Sequence, residues 1–245
     1  ILRPAYFNPL TNFNLYLNIP MQASVMGVMT IGLAGTILLG DIDLSCVGIM
    51  AVSAATGILL YKQNHVPVVI AMLIIIAMGG LIGFINGVLI AKLKTVALIE
   101  TLAMNTTLAG VVLAITRGRT ITINEKAYTV VGQGKIADTI QFLVIIFILV
   151  YVLMYFVWNR TPLGRSLFAV GGNPECARVS GINVDRIRIA AFTISGVMAG
   201  LAGLMLSSKM GSINSVFGSS YSMDIIAAAV IGGTSLSGGI GKVSG

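Results

Sequence analysis

Charge is what this sequence has least of. Only 9% of its 245 residues are Asp, Glu, Lys or Arg, against about 25% in ordinary soluble domains. So few charges cannot cover a water-facing surface, which excludes a soluble globular protein. Histidine occurs once, at His65, and cysteine twice, at Cys46 and Cys176. A lone histidine leaves no nucleophile–base–orienter set and no ligand cluster at metal spacing, so neither a catalytic site nor a metal site is expected. Cys46 falls in an apolar run and Cys176 in a charged one, so no disulfide framework is expected either. The first twenty residues lack the basic start and short apolar core of a secretory signal.

What the chain has instead is apolar length. It is 56% hydrophobic with 29 glycines and 12 methionines, and its mean hydropathy is +0.97. The apolar stretches are continuous, where a membrane barrel needs alternation. They predict an all-α, polytopic transmembrane bundle at 21–40, 46–61, 67–91, 96–116, 140–158 and 189–207, with a partial segment at 224–240. Each is near the roughly 20 residues that cross a bilayer, except the short 46–61. Segment 140–158 ends in Tyr151, Tyr155, Phe156 and Trp158, suited to a membrane interface. Gly79, Gly83 and Gly87 form a four-residue stripe that Gly196 and Gly200 repeat, a pattern that lets helices approach closely.

The net charge of +7 does not point to nucleic acid. The basic residues sit in short connectors, where lipid headgroups and orientation explain them. They do not orient the chain. Lys92, Lys94, Arg160, Arg165, Arg178, Arg186 and Arg188 fall on one side. Arg3, Lys62, Arg117, Arg119, Lys126, Lys135 and Lys209 fall on the other, and Lys242 is unplaced.

"GDIDLS" at 40–45 places Asp41 and Asp43 between two uncharged runs. One carboxylate at the centre of a lipid-facing helix costs about 2.5–3.5 kcal/mol. The chain is therefore expected to break here, with Gly40 relaxing the backbone. Asp43 or Ser45 is expected to cap the helix that starts near Cys46. Broken helices in transporters line cavities, which makes Asp41, Asp43 and Ser45 candidates for a substrate pathway. Thr101 and Asn105 share a face one turn apart, either as interhelical glue or lining the same pathway, and Asn86 can face the same space. Thr234 and Ser235 complete the candidate set.

The longest hydrophilic stretch, 159–188, carries a complete short-helix signature. Asn173 is an N-cap, Pro174 suits the first position, and Glu175 favours the helix dipole. Arg178 lies in the last turn, and Gly181 can take the left-handed turn that ends it. A helix over 174–180 is too short to stand alone in water and needs a surface to lean on.

Phosphate-binding patterns are missing. Around Gly241-Lys242 a P-loop would need glycine where Leu236 stands and Ser or Thr where Val243 stands. "GQGKIA" at 132–137 lacks the preceding strand that a dinucleotide fingerprint requires.

"TPLGRSLFAVGGNPECARVSGINVDRIRIAAFTISGVMAG" resembles the cytoplasmic coupling region of permease subunits in bacterial ATP-binding-cassette sugar importers of the ribose type. "GDIDLS" is similar to that family's "GGIDLSVG", and "IIAAAVIGGTSLSGGIGKVSG" to its "AAVVIGGTSLFGGxGxVxG". Three motifs in order cover nearly the whole chain. The departures are Asp41 in place of the second glycine, and Cys46 ahead of the usual "VG". The resemblance implies a single permease domain over 1–245, with a helix normally before residue 1 and membrane segments after Gly245. It implies that 159–188 is a cytoplasmic coupling loop and that Gly164, Arg165, Asn173, Pro174, Glu175, Ala177, Arg178, Ser180 and Gly181 dock on the ATPase. It implies a bacterial inner-membrane location and a second permease subunit, identical or related. It further implies partner ATPase subunits that use ATP, a periplasmic binding protein, and a sugar or sugar-like cargo. No cofactor is expected on this chain. The competing expectation is a passive channel or facilitator with no motor.

Overall fold

The computed structural model describes residues 13–136 and 140–241. Arg3, Lys242, Val243 and Ala137, which enter the sequence arguments above, lie outside the described residues. The chain forms α1 (Phe13–Ile37), α2 (Cys46–Asn64), α3 (Val68–Leu93), α4 (Ala97–Thr116), β1 (Ile121–Thr122) and α5 (Lys126–Gln133). It continues with β2 (Lys135–Ile136), β3 (Ile140–Gln141), α6 (Phe142–Arg160), α7 (Pro162–Gly172), α8 (Pro174–Val179), α9 (Val184–Met210), β4 (Ser212–Ile213) and α10 (Tyr221–Ile231). Six of these, α1 (from Ile19), α2, α3, α4, α6 and α9, are long and apolar enough to cross a membrane. The polytopic all-α bundle is therefore the observed fold.

Of the differences from the sequence expectation, three bear on the site. The 46–61 segment continues to Asn64, ending where His65 turns left-handed at φ 52°, so α2 can span alone. The 159–188 stretch is not one helix in a connector. α6 runs on to Arg160, α7 fills 162–172, and α9 starts at Val184. Thr161 supplies the local signal, since its hydroxyl accepts the Gly164 N–H ahead of Pro162 at the first position. The partial segment at 224–240 is helical only to Ile231. Gly232 and the left-handed Gly233 (φ 90°) turn the chain into a loop.

α9 is the central element, buried over two-thirds of its apolar window. It packs along α3 through the two glycine stripes. A Cβ on Gly79 or Gly83 would collide with the carbonyl of Gly196 or Phe192, and one on Gly200 would sit 2.8 Å from the Ile75 carbonyl. Backbones in such contact gain dispersion that lipid cannot supply. The stripes thus join two helices of one chain. α4 and α6 are mostly exposed, with Ile99 and Leu102 of α4 and Leu149 and Phe156 of α6 turned outward.

At one face α5 is clamped to the end of α9. Ser208 Oγ accepts the Gly132 N–H at 2.7 Å and donates to the Tyr128 carbonyl at 2.6 Å. The Tyr128 hydroxyl bonds Ser207, and burial pushes its pKa up to about 12, so it stays neutral. β1 pairs β4 beside it. At the opposite face α7 and α8 rest on a small separate core of Leu39, Leu167, Val170, Ala177, Val184 and Ala191.

The glycine seam makes a direct prediction. Gly83→Ala should lower stability by about 1–3 kcal/mol through overpacking. Gly110→Ala, where nothing lies within 4 Å, should be neutral or slightly stabilising. Thermal melts in detergent micelles compare the two.

Candidate functional site

The α1–α2 break spans residues 38–45, with Gly40 left-handed at φ 78° and residues 41–44 in no regular structure. Its exposed backbone groups need partners, because lipid offers none. They find them on other helices. The Leu44 N–H reaches Thr101 Oγ1 at 3.1 Å, and the Gly48 N–H, in the first turn of α2, reaches Asn105 Oδ1 at 2.9 Å. Thr101 and Asn105 are one turn apart on α4, so a single helix face caps the break from outside.

Asp43 closes the inside of the turn. Its Oδ1 accepts the Ser45 N–H at 2.9 Å and the Ser45 hydroxyl, and its Oδ2 accepts Ser195 Oγ–H at 2.8 Å. Asn86 donates to Ser45 Oγ at 2.8 Å from α3, while its own Oδ1 has no partner. Cys46 Sγ lies 3.4 Å from Ser195 Oγ. The carboxylate also sits at the positive end of the α2 dipole. Ser45 occupies the position before α2 but makes no side-chain cap. The cap expected of Asp43 or Ser45 is shared among Asp43, Thr101 and Asn105 instead.

Asp43, Ser45, Asn86 and Thr101 are all buried. As candidate pathway residues they are brought together, but their polar atoms engage one another and the backbone. Asn105 joins them from a partly buried position. Asp41 points elsewhere, with its Oδ2 3.0 Å from Arg188 Nε on α9. That approach is a charge contact and not an aligned hydrogen bond. Thr234, buried, and Ser235, partly buried, lie in the loop after α10. This loop docks on the same break, where the Gly239 N–H reaches the Leu38 carbonyl at 2.8 Å. The "GDIDLS" and "GGTSLSGG" stretches thus meet, each turned by left-handed glycines.

Beside this junction a groove of about 380 Å³ runs between α1, α6 and α10, lined by Thr30, Phe147, Tyr151, Trp158 and Thr234 among others. Trp158 Nε1 is buried there without a partner. Sequence reading missed Ser195 and the pairing of Arg188. Ser195 had a faint signal, a hydroxyl beside Gly196 in an apolar run. Arg188 had none beyond its charge, since its partner is 147 positions away in the chain.

The hydrophilic stretch is built as a projecting foot. Asn173 Oδ1 accepts the N–H groups of Glu175 and Cys176, both at 3.0 Å, which fixes the start of α8. Gly181, left-handed at φ 85°, ends it. Ala177 faces inward, and Gly164 packs against the Trp158 backbone within α7. Both are buried, so neither belongs to an outer docking surface. Arg165, Asn173, Glu175, Arg178, Ser180 and Gly181 are exposed, and Pro174 is partly so. Arg178 and Glu175 pair at 2.8 Å across one turn. Val179 is 89% exposed, an apolar tip that sequence reading overlooked. Among the described residues no group of three or more potential ligands could hold a metal ion.

A profile of the family described as "Branched-chain amino acid transport system / permease component" matches residues 15–241. The chain belongs to this permease family. It is 36% identical over 233 residues to a ribose import permease protein of Haemophilus influenzae, covering 94% of this chain and 72% of that one. A Bacillus subtilis ribose import permease protein is also 36% identical, over 100% of this chain and 75% of its own length. A galactose/methyl galactoside import permease protein of Escherichia coli is 33% identical, over 93% and 73%. No solved structure matches the chain. As a family member the chain is a multi-pass membrane permease, and its six spans carry that role.

The knot predicts a stability order. Asp43→Ala strands three donors that cost about 1–3 kcal/mol each when buried unpaired, so it should destabilise most. Asp43→Asn keeps an acceptor and should fall between. Asn105→Ala, losing one cap, should cost about 1 kcal/mol. Melting in detergent ranks them.

Proposed function

We propose that this chain is the membrane permease subunit of an ATP-binding-cassette importer for a neutral sugar. The observation that carries this reading is the foot formed by α7 and α8. A two-turn helix is capped at both ends, anchored inward by Ala177, and presents Val179 and a Glu175–Arg178 pair beyond the bundle. A passive channel has no need of such a rigid, partly apolar projection, whereas a permease driven by a separate motor does. The sugar class follows from relatives named for ribose and galactose import, with pentoses and hexoses as the cargo. In this reading α7 and α8 lie in the cytoplasm against ATPase subunits that bind and hydrolyse ATP. α5 and the β1–β4 pair face the periplasm, where a binding protein delivers the sugar. The membrane is the bacterial inner membrane.

The sugar path lies on the exposed side of α4, shared with a second permease subunit. Thr101 and Asn105 occupy the inward side of α4. Its opposite side presents Ala103, Thr106, Thr107 and Gly110, all exposed. Small and hydroxyl-bearing residues are a poor match to lipid tails and a good match to a partner helix and a hydrated sugar.

Two outcomes are expected. Cys176 is exposed and Cys46 buried, so a membrane-impermeant thiol reagent should label the protein once, and only from the cytoplasmic side. Labelling from outside refutes the orientation. In vesicles holding the full complex, Val179→Asp and Glu175→Lys should insert normally yet lose ATP-driven uptake of ribose or galactose. Uptake by the unaltered permease without ATP or any ATPase subunit would favour the channel.

A further inference from the structure

We propose that Asp41 and Arg188 are positioning residues for transport: their ion pair fastens the α1–α2 break to the foot of α9, so that movement of α7 and α8 reaches the break. The proposal rests on the reading of this chain as an ATP-driven permease.

The geometry has two rungs. Asp41 and Asp43 stand two apart in the irregular segment between α1 and α2. Arg188 and Ser195 stand seven apart on α9 and so share one face. The two α9 residues are about 10 Å apart along the helix. Both rungs form, Asp43 to Ser195 at 2.8 Å and Asp41 to Arg188 at 3.0 Å.

The rungs differ in purpose. Asp43 holds the Ser45 N–H and hydroxyl, and its loss would undo the turn. Asp41 accepts no backbone N–H, and its one close partner among the described residues is Arg188. The turn can therefore form without it. The pair is also shielded, with the Asp41 side chain 12% and the Arg188 side chain 29% exposed, so bulk water does little to weaken it.

What the pair joins gives it a role. Leu39, two residues before Asp41, lies in one small core with Leu167 and Val170 of α7, Ala177 of α8, and Val184 and Ala191 of α9. Gly171 at the end of α7 packs on the Leu38 carbonyl so closely that a Cβ would overlap it. The foot, the start of α9 and the break therefore share one packed unit, set apart from the main bundle core. A push on α8 must either move the break or tear this unit, and the Asp41–Arg188 pair is its electrostatic tie. Lys92 and Asp185, paired at 3.2 Å, carry the same end of α9 to α3, but they are exposed and screened.

The test uses vesicles containing permease, ATPase subunits and binding protein, with ribose and galactose as probes. Asp41→Asn and Arg188→Gln should each insert and bind the ATPase normally. Each should lower sugar taken up per ATP hydrolysed about tenfold, within the range of ordinary coupling energies. Arg188→Lys keeps the charge and should retain most coupling. The exchange Asp41→Arg with Arg188→Asp should recover much of what either single change loses. In parallel, melting of the two single variants and the Asp41→Asn/Arg188→Gln double should be non-additive. Unchanged uptake per ATP in both single variants overturns the proposal. Additive melting does the same, and so does a charge exchange that recovers nothing although the protein melts normally. If the unaltered complex moves neither sugar with ATP, the transport reading fails and this proposal with it, an outcome visible before any variant is made.

Discussion

A polypeptide inside a bilayer cannot leave backbone groups bare, and the organisation of this permease follows from meeting that demand at one place. Where α1 stops and α2 starts, the irregular residues and the first turn of α2 leave amide hydrogens to be satisfied inside the packed bundle. Asp43 satisfies them from within the turn, and Thr101 and Asn105 from one face of α4. Because two of those residues stand on α4, the break fixes α4 against α2. Because Asp43 also takes Ser195 and Ser45 takes Asn86, it fixes α9 and α3 as well. Four helices are registered by one turn.

This explains why so polar a segment is tolerated. An isolated buried carboxylate would be costly, but each oxygen of Asp43 accepts from hydroxyl or amide donors, and the helix dipole adds to the field that holds it. The glycine seam between α3 and α9 complements the knot. It supplies close, unspecific attraction along the helices, while the knot supplies register. α9 consequently reaches from the α7–α8 foot, past the break, to the α5 cap held by Ser207 and Ser208. One helix thus touches the foot, the break and the α5 cap.

From sequence the polar residues of "GDIDLS" and α4 fit helix capping and interhelical bonding as well as a pathway, because carbohydrate recognition and helix capping use the same chemistry: short polar side chains on an apolar background. Residue type alone does not separate the two. Burial does, since the inward side of α4 meets protein while Thr106 and Thr107 do not. The foot was more legible. Asn173, Pro174 and Gly181 act through neighbours within a few positions, so local rules located α8. The apolar tip at Val179 was invisible to those rules, because whether a valine faces core or solvent depends on what lies beneath the helix.

The sequence by itself determined that the chain is a membrane bundle, where its spans lie to within a few residues, that the chain breaks at Asp41–Asp43, and that a capped helix follows Asn173. These depend on hydropathy and on contacts between near neighbours. Only the tertiary structure decided that the glycine stripes face each other within one chain, that α4 caps α2, and that Asp41 meets Arg188. Each joins residues far apart in the chain, and their meeting is set by how whole helices pack, not by any local preference of the residues themselves.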